Sequence, residues 1–315
     1  MHCHQKTIKQ KIKVSGKGLH TGEKIDVVLS PMPVDSGLWF LRADQPDAQP
    51  VLAATENVSD TRLATTLGRG RNSVGTIEHL LAVLGGLGVN NLKVEVCGPE
   101  TPIFDGSALP WVELLQNVGL QTFNSPRPCR RVRRPFEIID GDAFVRVEPA
   151  STFSVDFTID FPGFLKVQNR VFTFSEQAFV SEIAPARTFC LLSDVEKMQR
   201  NGKALGGGLD NAVVVSDQGV LNPEGLRFPD ECVRHKILDF LGDLALAQTP
   251  ILGRFTACKA GHALNQRFLA EMLAAPDYLE PLTPAAPARR SERVDREETF
   301  DYRPSLSALK QAWAH

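Results

Sequence analysis

The chain of 315 residues carries 35 Lys and Arg against 37 Asp and Glu, a net charge of −2, with 43% apolar and 23% charged residues. That balance excludes a chain disordered throughout and a collagen-like polymer, and it lacks the basic excess that a nucleic-acid binder needs. The length suits two domains, each large enough for its own core. The most apolar stretch, residues 80–89, contains glycines and falls far short of the ~20 residues a membrane-spanning helix requires. The amino terminus lacks the apolar core of a signal peptide. Cysteines at 3, 97, 129, 190, 232 and 258 show no paired spacing, so reduced thiols in a cytosolic protein are expected.

In chain order, alternation over residues 7–14 predicts a strand, followed by a turn at Ser15-Gly16-Lys17-Gly18 and strands over 24–29 and 38–41. Ile77, Leu80, Leu81 and Leu84 recur at helical spacing and predict a helix over 76–87, ended by Gly85, Gly86 and Gly88. A strand over 92–96 follows, then a helix capped by Ser107 that runs through Trp111 and Leu115. Residues 124–135 combine Pro126 and Pro128 with a run of arginines and read as a solvated linker rather than a nucleic-acid patch.

The second half restarts with strands over 136–139, 144–147 and 155–161. Ser193-Asp194-Val195-Glu196 has the form of a capping box that opens a helix. A buried strand over 212–215, a helix over 231–247, a strand over 255–259 and a helix over 263–273 follow. Both halves mix strands with a pair of helices, which predicts an α+β fold, and the similar order hints at a duplication. The expected organisation is an N-terminal domain over 1–125, a linker over 126–135, a C-terminal domain over 136–275 and a mobile tail over 276–315. Within the tail, residues 306–313 suit a short helix.

The informative chemistry begins with Arg234-His235-Lys236-Ile237-Leu238-Asp239-Phe240-Leu241-Gly242-Asp243. On a helix this spacing puts His235, Asp239 and Asp243 on one face, where His and Asp at i, i+4 can hold one metal ion. A surface His–Asp pair fits the same spacing. Glu78-His79 lies inside an apolar helix, where both groups are costly unless they face a polar cavity. Neither zincin order of His and Glu is present. His79, His235 and Asp239 with a free Glu78 make the set a catalytic zinc requires: three ligands, an open position and a nearby base. His262, in the small-residue turn Ala260-Gly261-His262, is a candidate acid or merely a cap. Thr188 could serve an oxyanion or close a turn. Gly206-Gly207-Gly208 lacks the lysine and hydroxyl of a phosphate loop and reads as a tight turn.

Taken together, Gly16-Lys17-Gly18-Leu19-His20-Thr21-Gly22, Ser59 through Leu67, Thr76-Ile77-Glu78-His79-Leu80, Gly98-Pro99-Glu100 and Phe104-Asp105-Gly106-Ser107 occur in one order with the second-half motifs at Phe157–Phe161, Ala186-Arg187-Thr188-Phe189, His235–Asp239 and Gly261-His262-Ala263. This set closely resembles the UDP-3-O-acyl-N-acetylglucosamine deacetylases, the zinc amidases of bacterial lipid A synthesis, over about residues 5–274. The resemblance implies two similar two-layer domains, each a sheet on two helices, with the metal site between them. It implies one Zn2+ per chain on His79, His235 and Asp239, although Fe2+ suits the same ligands. Glu78 matches the general base and His262 the general acid, with Asp243 as the partner of His262 and Thr188 beside the oxyanion. Lys236 and Lys259 match positions near the diphosphate and sugar, Phe161 a contact to the uracil, and Phe189 a wall of the substrate site.

The implied reaction releases acetate from the 2-N-acetyl group of UDP-3-O-acyl-N-acetylglucosamine; the alternative is a related zinc amidase on another N-acetylated substrate. A monomer in the cytoplasm of a Gram-negative-type bacterium is expected, without nucleic acid or a membrane anchor, and touching a membrane only at its surface. Phe189, Cys190, Leu191, Ile183 and Leu205 are candidates for an acyl passage, and Cys190 stands where the family pattern has Gly.

Overall fold

The computed structural model describes residues 4–282. The first half runs β1 (His4–Ile8), β2 (Ile12–Lys17), β3 (Lys24–Pro31), β4 (Leu38–Arg42) and the short β5 (Val51–Leu52). The ribbon of β6 (Val58–Asp60) and β7 (Thr66–Leu67) leads into α1 (Glu78–Leu87), β8 (Leu92–Cys97), α2 (Leu109–Val118) and β9 (Leu120–Pro126). The second half opens with β10 (Cys129–Val132), β11 (Phe136–Asp140), β12 (Ala143–Glu148), β13 (Phe153–Phe161) and β14 (Lys166–Thr173). One helical turn, α3 (Glu176–Ala178), precedes β15 (Phe189–Leu191), α4 (Leu192–Arg200), β16 (Val213–Ser216) and β17 (Gly219–Val220). The described chain ends with α5 (Glu231–Leu244), β18 (Ile251–Cys258), α6 (His262–Ala274) and β19 (Leu279–Leu282).

This is an α+β arrangement with two main sheets. The first has the order β2-β3-β8-β4-β5, and the second contains β11-β12-β18-β13-β14, with β10 added along β18 and β19 along β10. In each sheet the strand that follows the buried helix inserts in the middle, parallel to one neighbour and antiparallel to the other. The two sheets therefore share one order and one set of strand directions.

Alternation builds these sheets. In β13, Phe153, Val155, Phe157 and Ile159 turn into the core while the residues between them are half-buried or exposed. Phe157, Phe240, Phe255 and Phe268 form a chain of tilted and edge-on rings between the second sheet and α5 and α6. Each such ring, fully buried, contributes about 1.5–3 kcal/mol. Helix α1 is apolar all round beyond its first turn, as suits a helix buried on every side. It ends at Gly88, whose φ of 78° a Cβ would oppose.

Several expected boundaries move. Residues 7–14 are not one strand: β1 pairs with β9, and the chain turns at 9–11 before β2. Ser15, Gly16 and Lys17 continue β2, so the turn falls at 18–22. Residues 124–135 hold the end of β9 and all of β10 rather than a bare linker. Pro126 closes one strand of a two-stranded ribbon, a place where proline is tolerated. Of the segment's arginines, Arg131 pairs with Glu280 and Arg134 with Asp277. Residues 276–282 are likewise docked, because β19 pairs with β10. The remaining tail and its suggested helix at 306–313 lie outside the described residues. Helix α4 starts at Leu192 without a side-chain cap, so Ser193 is inside it. The N-cap of α2 is Ala108 rather than Ser107, which stands one residue earlier and accepts the Leu109 N–H at 3.2 Å. Cys97, Cys129, Cys190, Cys232 and Cys258 are free thiols. Among the described residues no helix is long and apolar enough to cross a membrane.

Candidate metal centre

Helix α1 begins from a strained turn. Thr76, a β-branched residue, sits at φ 54°, a conformation such residues rarely adopt. Its hydroxyl donates to Glu100 Oε2 at 2.8 Å, and its carbonyl accepts from the Thr101 hydroxyl at 2.5 Å. Glu100 also accepts the backbone N–H groups of His20 and Thr21. One buried carboxylate thus ties the 18–22 loop to the start of α1. Opposite this turn lies α5, brought close by Gly242: a Cβ there would collide with the carbonyl of Glu78.

That close approach brings His79 to the face of α5 that carries His235 and Asp239. The ligand atoms of these three buried residues all lie within 4.8 Å of one another. His235 Nε2 is 3.4 Å and His79 Nε2 3.8 Å from Asp239 Oδ1. A tetrahedron with bonds of ~2.1 Å has edges of about 3.4 Å, so one small divalent ion fits among them. Burial drives the pKa of His79 down to about 3 and lowers that of His235, leaving both rings in the neutral form a ligand needs. His235 Nδ1 lies 3.0 Å from the Ala186 carbonyl; donating there leaves Nε2 free to ligate. Burial opposes the charge of Asp239, but the ammonium of Lys236 beside it outweighs burial and holds the carboxyl below the usual range. Lys236 Nζ donates to Asp239 Oδ2 at 2.7 Å.

Two buried groups beside the cluster, Glu78 and His262, are shifted upward for different reasons. Burial pushes Glu78 up to about 7, against the pull of His262. Burial alone would lower His262, but Asp243 beside it raises the pKa to about 9. His262 Nδ1 is 2.9 Å from Asp243 Oδ2, which also accepts from Asn265 at 2.8 Å. Thr65 joins both groups: its N–H donates to Glu78 Oε2 at 3.0 Å and its hydroxyl to Asp243 Oδ1 at 2.6 Å.

These residues open on a cleft of about 720 Å³ lined by Thr188, Phe161, Phe189, Lys236, Lys259, His235, Asp239 and His262, so every expected site residue outside the buried Glu78, His79 and Asp243 reaches one space. Phe161 and Phe189 meet edge to face at 5.3 Å. Lys259 is engaged by Asp142 at 2.7 Å and Asp160 at 2.8 Å. A more apolar cavity of about 390 Å³ shares Thr188, Phe189 and Cys190 with the cleft and continues past Leu19, Val195 and Val214. Leu191 faces the cleft, whereas Ile183 is core and Leu205 is exposed, so neither lines the apolar space.

Sequence reasoning assigned no role to Thr65, Glu100, His20, Lys197 or Lys203. Lys197 and Lys203 line the cleft, and His20 lines the apolar cavity with its buried Nε2 lacking a partner among the described residues. Their signals in the sequence were single polar residues in loops or on a surface helix, with no periodicity to mark them.

A buried His-His-Asp cluster, beside a histidine held on a carboxylate and a buried glutamate, is the donor set of a metal-assisted hydrolase. The chain belongs to the LpxC family, UDP-3-O-acyl N-acetylglycosamine deacetylase, whose sequence profile matches residues 5–274. Relatives named UDP-3-O-acyl-N-acetylglucosamine deacetylase include one from Anaeromyxobacter sp. (strain Fw109-5), 48% identical over 277 residues, covering 87% of this chain and 90% of the relative. Another, from Thioalkalivibrio sulfidiphilus, is 46% identical and covers 89% of this chain and 93% of its own. The Myxococcus xanthus relative is 43% identical over 92% of this chain and 91% of its own. The chain is accordingly an enzyme of the deacetylase class.

Proposed function

We propose that the protein removes the 2-N-acetyl group of UDP-3-O-acyl-N-acetylglucosamine, releasing acetate, in the cytoplasmic part of lipid A synthesis. The observation that carries this reading is the buried cluster of His79, His235 and Asp239, ligand atoms within 4.8 Å, with Glu78 adjoining it and His262 held on Asp243 at 2.9 Å. The site lies where α1 of the first half meets α5 of the second, and the chain is read as two domains over 1–125 and 136–275, joined through 126–135. Zn2+ is the ion assigned to the three ligands, with Fe2+ suited to the same set. When bound, such an ion supplies Lewis-acid character, polarising a carbonyl oxygen and acidifying water.

Glu78 accepts the proton of the attacking water, because a carboxyl with a pKa near 7 is matched to that transfer at neutral pH. Thr188, on the wall of the cleft, donates to the oxyanion. An amine cannot leave as an anion, so His262 delivers a proton to the departing nitrogen, and Asp243 keeps that imidazole charged and oriented. Lys236, Lys259 and Phe161 receive the sugar, diphosphate and uracil, while Phe189 and the adjoining apolar cavity take the acyl chain. The test is acetate release from the UDP-sugar by protein of measured metal content. Glu78→Gln should retain the ion and lose turnover. Equal turnover of simple N-acetyl sugars would transfer the reading to an amidase of other specificity.

A further inference from the structure

A separate cavity of about 100 Å³ lies at the C-terminal ends of α1 and α5 and shares no lining residue with the catalytic cleft. Leu38, Ala82, Val89, Phe153, Phe174 and Leu244 give it apolar walls. Into this space faces Arg127, on the connection between β9 and β10, only 8% exposed. Its Nε has no hydrogen-bond acceptor, and among the described residues its guanidinium has no ion pair. The other buried arginines differ: Arg42 is paired with Asp44 at 2.9 Å and Arg187 with Glu231 at 2.9 Å. Burial pushes Arg127 down to about 10, with no carboxylate to hold it up. It still carries its charge at neutral pH, and a buried charge without a partner is strongly unfavourable.

We propose that this cavity is a binding site for a short aliphatic carboxylate, its head on the Arg127 guanidinium and its chain along the apolar walls. Guanidinium and carboxylate match as a two-pronged pair, which supplies the missing acceptor. A bare inorganic anion would leave the apolar walls unused, and an uncharged chain would leave Arg127 unpaired. The volume of about 100 Å³, two-thirds of the ~150 Å³ that houses benzene, leaves room for about four or five carbons beyond the carboxyl.

The test is a calorimetric titration of the full chain with hexanoate, hexanol and hexylamine, together with methyl chemical shifts. Hexanoate should bind one per chain, at least tenfold tighter than hexanol or hexylamine, and move the methyls of Ala82 and Ala245 rather than those of Ala212 and Val214. At ten times its Kd it should raise the Tm by about 2–4 °C. Arg127→Met should bind hexanoate at least tenfold more weakly. Ala245→Leu, which fills the chain side and leaves the charge in place, should weaken it as well and keeps the test valid if Arg127→Met does not fold. Equal affinity for hexanol, unchanged binding by a folded Arg127→Met, or shifts confined to Ala212 and Val214 would overturn the proposal.

Discussion

In the first sheet β8 enters between β3 and β4, and in the second β18 enters between β12 and β13, each after a buried helix. The two helices use that shared position differently. Helix α1 presents chemistry only in its first turn, Glu78 and His79, and is apolar beyond it. Helix α5 carries His235, Lys236, Asp239 and Asp243 through three turns. The helices that follow diverge in the same sense: Ser107 ahead of α2 only accepts the Leu109 N–H, whereas α6 opens with His262 against Asp243. A repeated scaffold can thus leave one copy mainly as support while the other gathers polar groups, provided the two helices touch at one point.

The largest expected effect separates the two contributions. Glu78→Gln should lower kcat by about 10²–10⁴-fold with the metal retained, measured by acetate release and metal analysis; loss of the metal would instead make Glu78 a ligand of the first half. Gly242→Ala attacks the contact itself. The added methyl meets the Glu78 carbonyl, so the variant should lose metal affinity and about 1–3 kcal/mol of stability by denaturant titration. An unchanged metal stoichiometry and unfolding midpoint would show that the helices need no such approach.

Asp243→Asn sharpens the role of the second half. Because Asp243 raises His262 to about 9, activity should fall as pH rises through that value. Removing the carboxylate lowers the pKa, so the alkaline limb of a kcat/KM profile should move to lower pH. Thr65→Val removes the hydroxyl that reaches across from the first half to Asp243. A roughly tenfold lower kcat with KM unchanged, recovered in Thr65→Ser, is expected for a lost hydrogen bond to a charged group. The smallest effect belongs to the outer strand: Arg131→Ala breaks an exposed pair with Glu280 and should cost no more than about 1 kcal/mol in thermal unfolding.

What the sequence revealed follows from which forces leave a periodic trace. The helices α1, α5 and α6 were readable because their apolar faces repeat every three or four residues, and the His235–Asp239 spacing was readable because one turn of helix fixes it. Strand β10 was not, since prolines and arginines dominate its composition while its pairing with β18 and β19 comes from residues over a hundred positions away. Thr65 and Gly242 were missed for a related reason: the meaning of a hydroxyl or a missing side chain depends on what the other half brings against it.

Asp239 divides its two oxygens between different neighbours, Oδ1 toward the histidines and Oδ2 to the ammonium of Lys236. A carboxylate restrained in this way offers a cation one atom instead of a chelating pair. A cation held by His79, His235 and Asp239 would therefore meet a single oxygen of this carboxylate, with Lys236 keeping the other, and would retain room for solvent and a carbonyl.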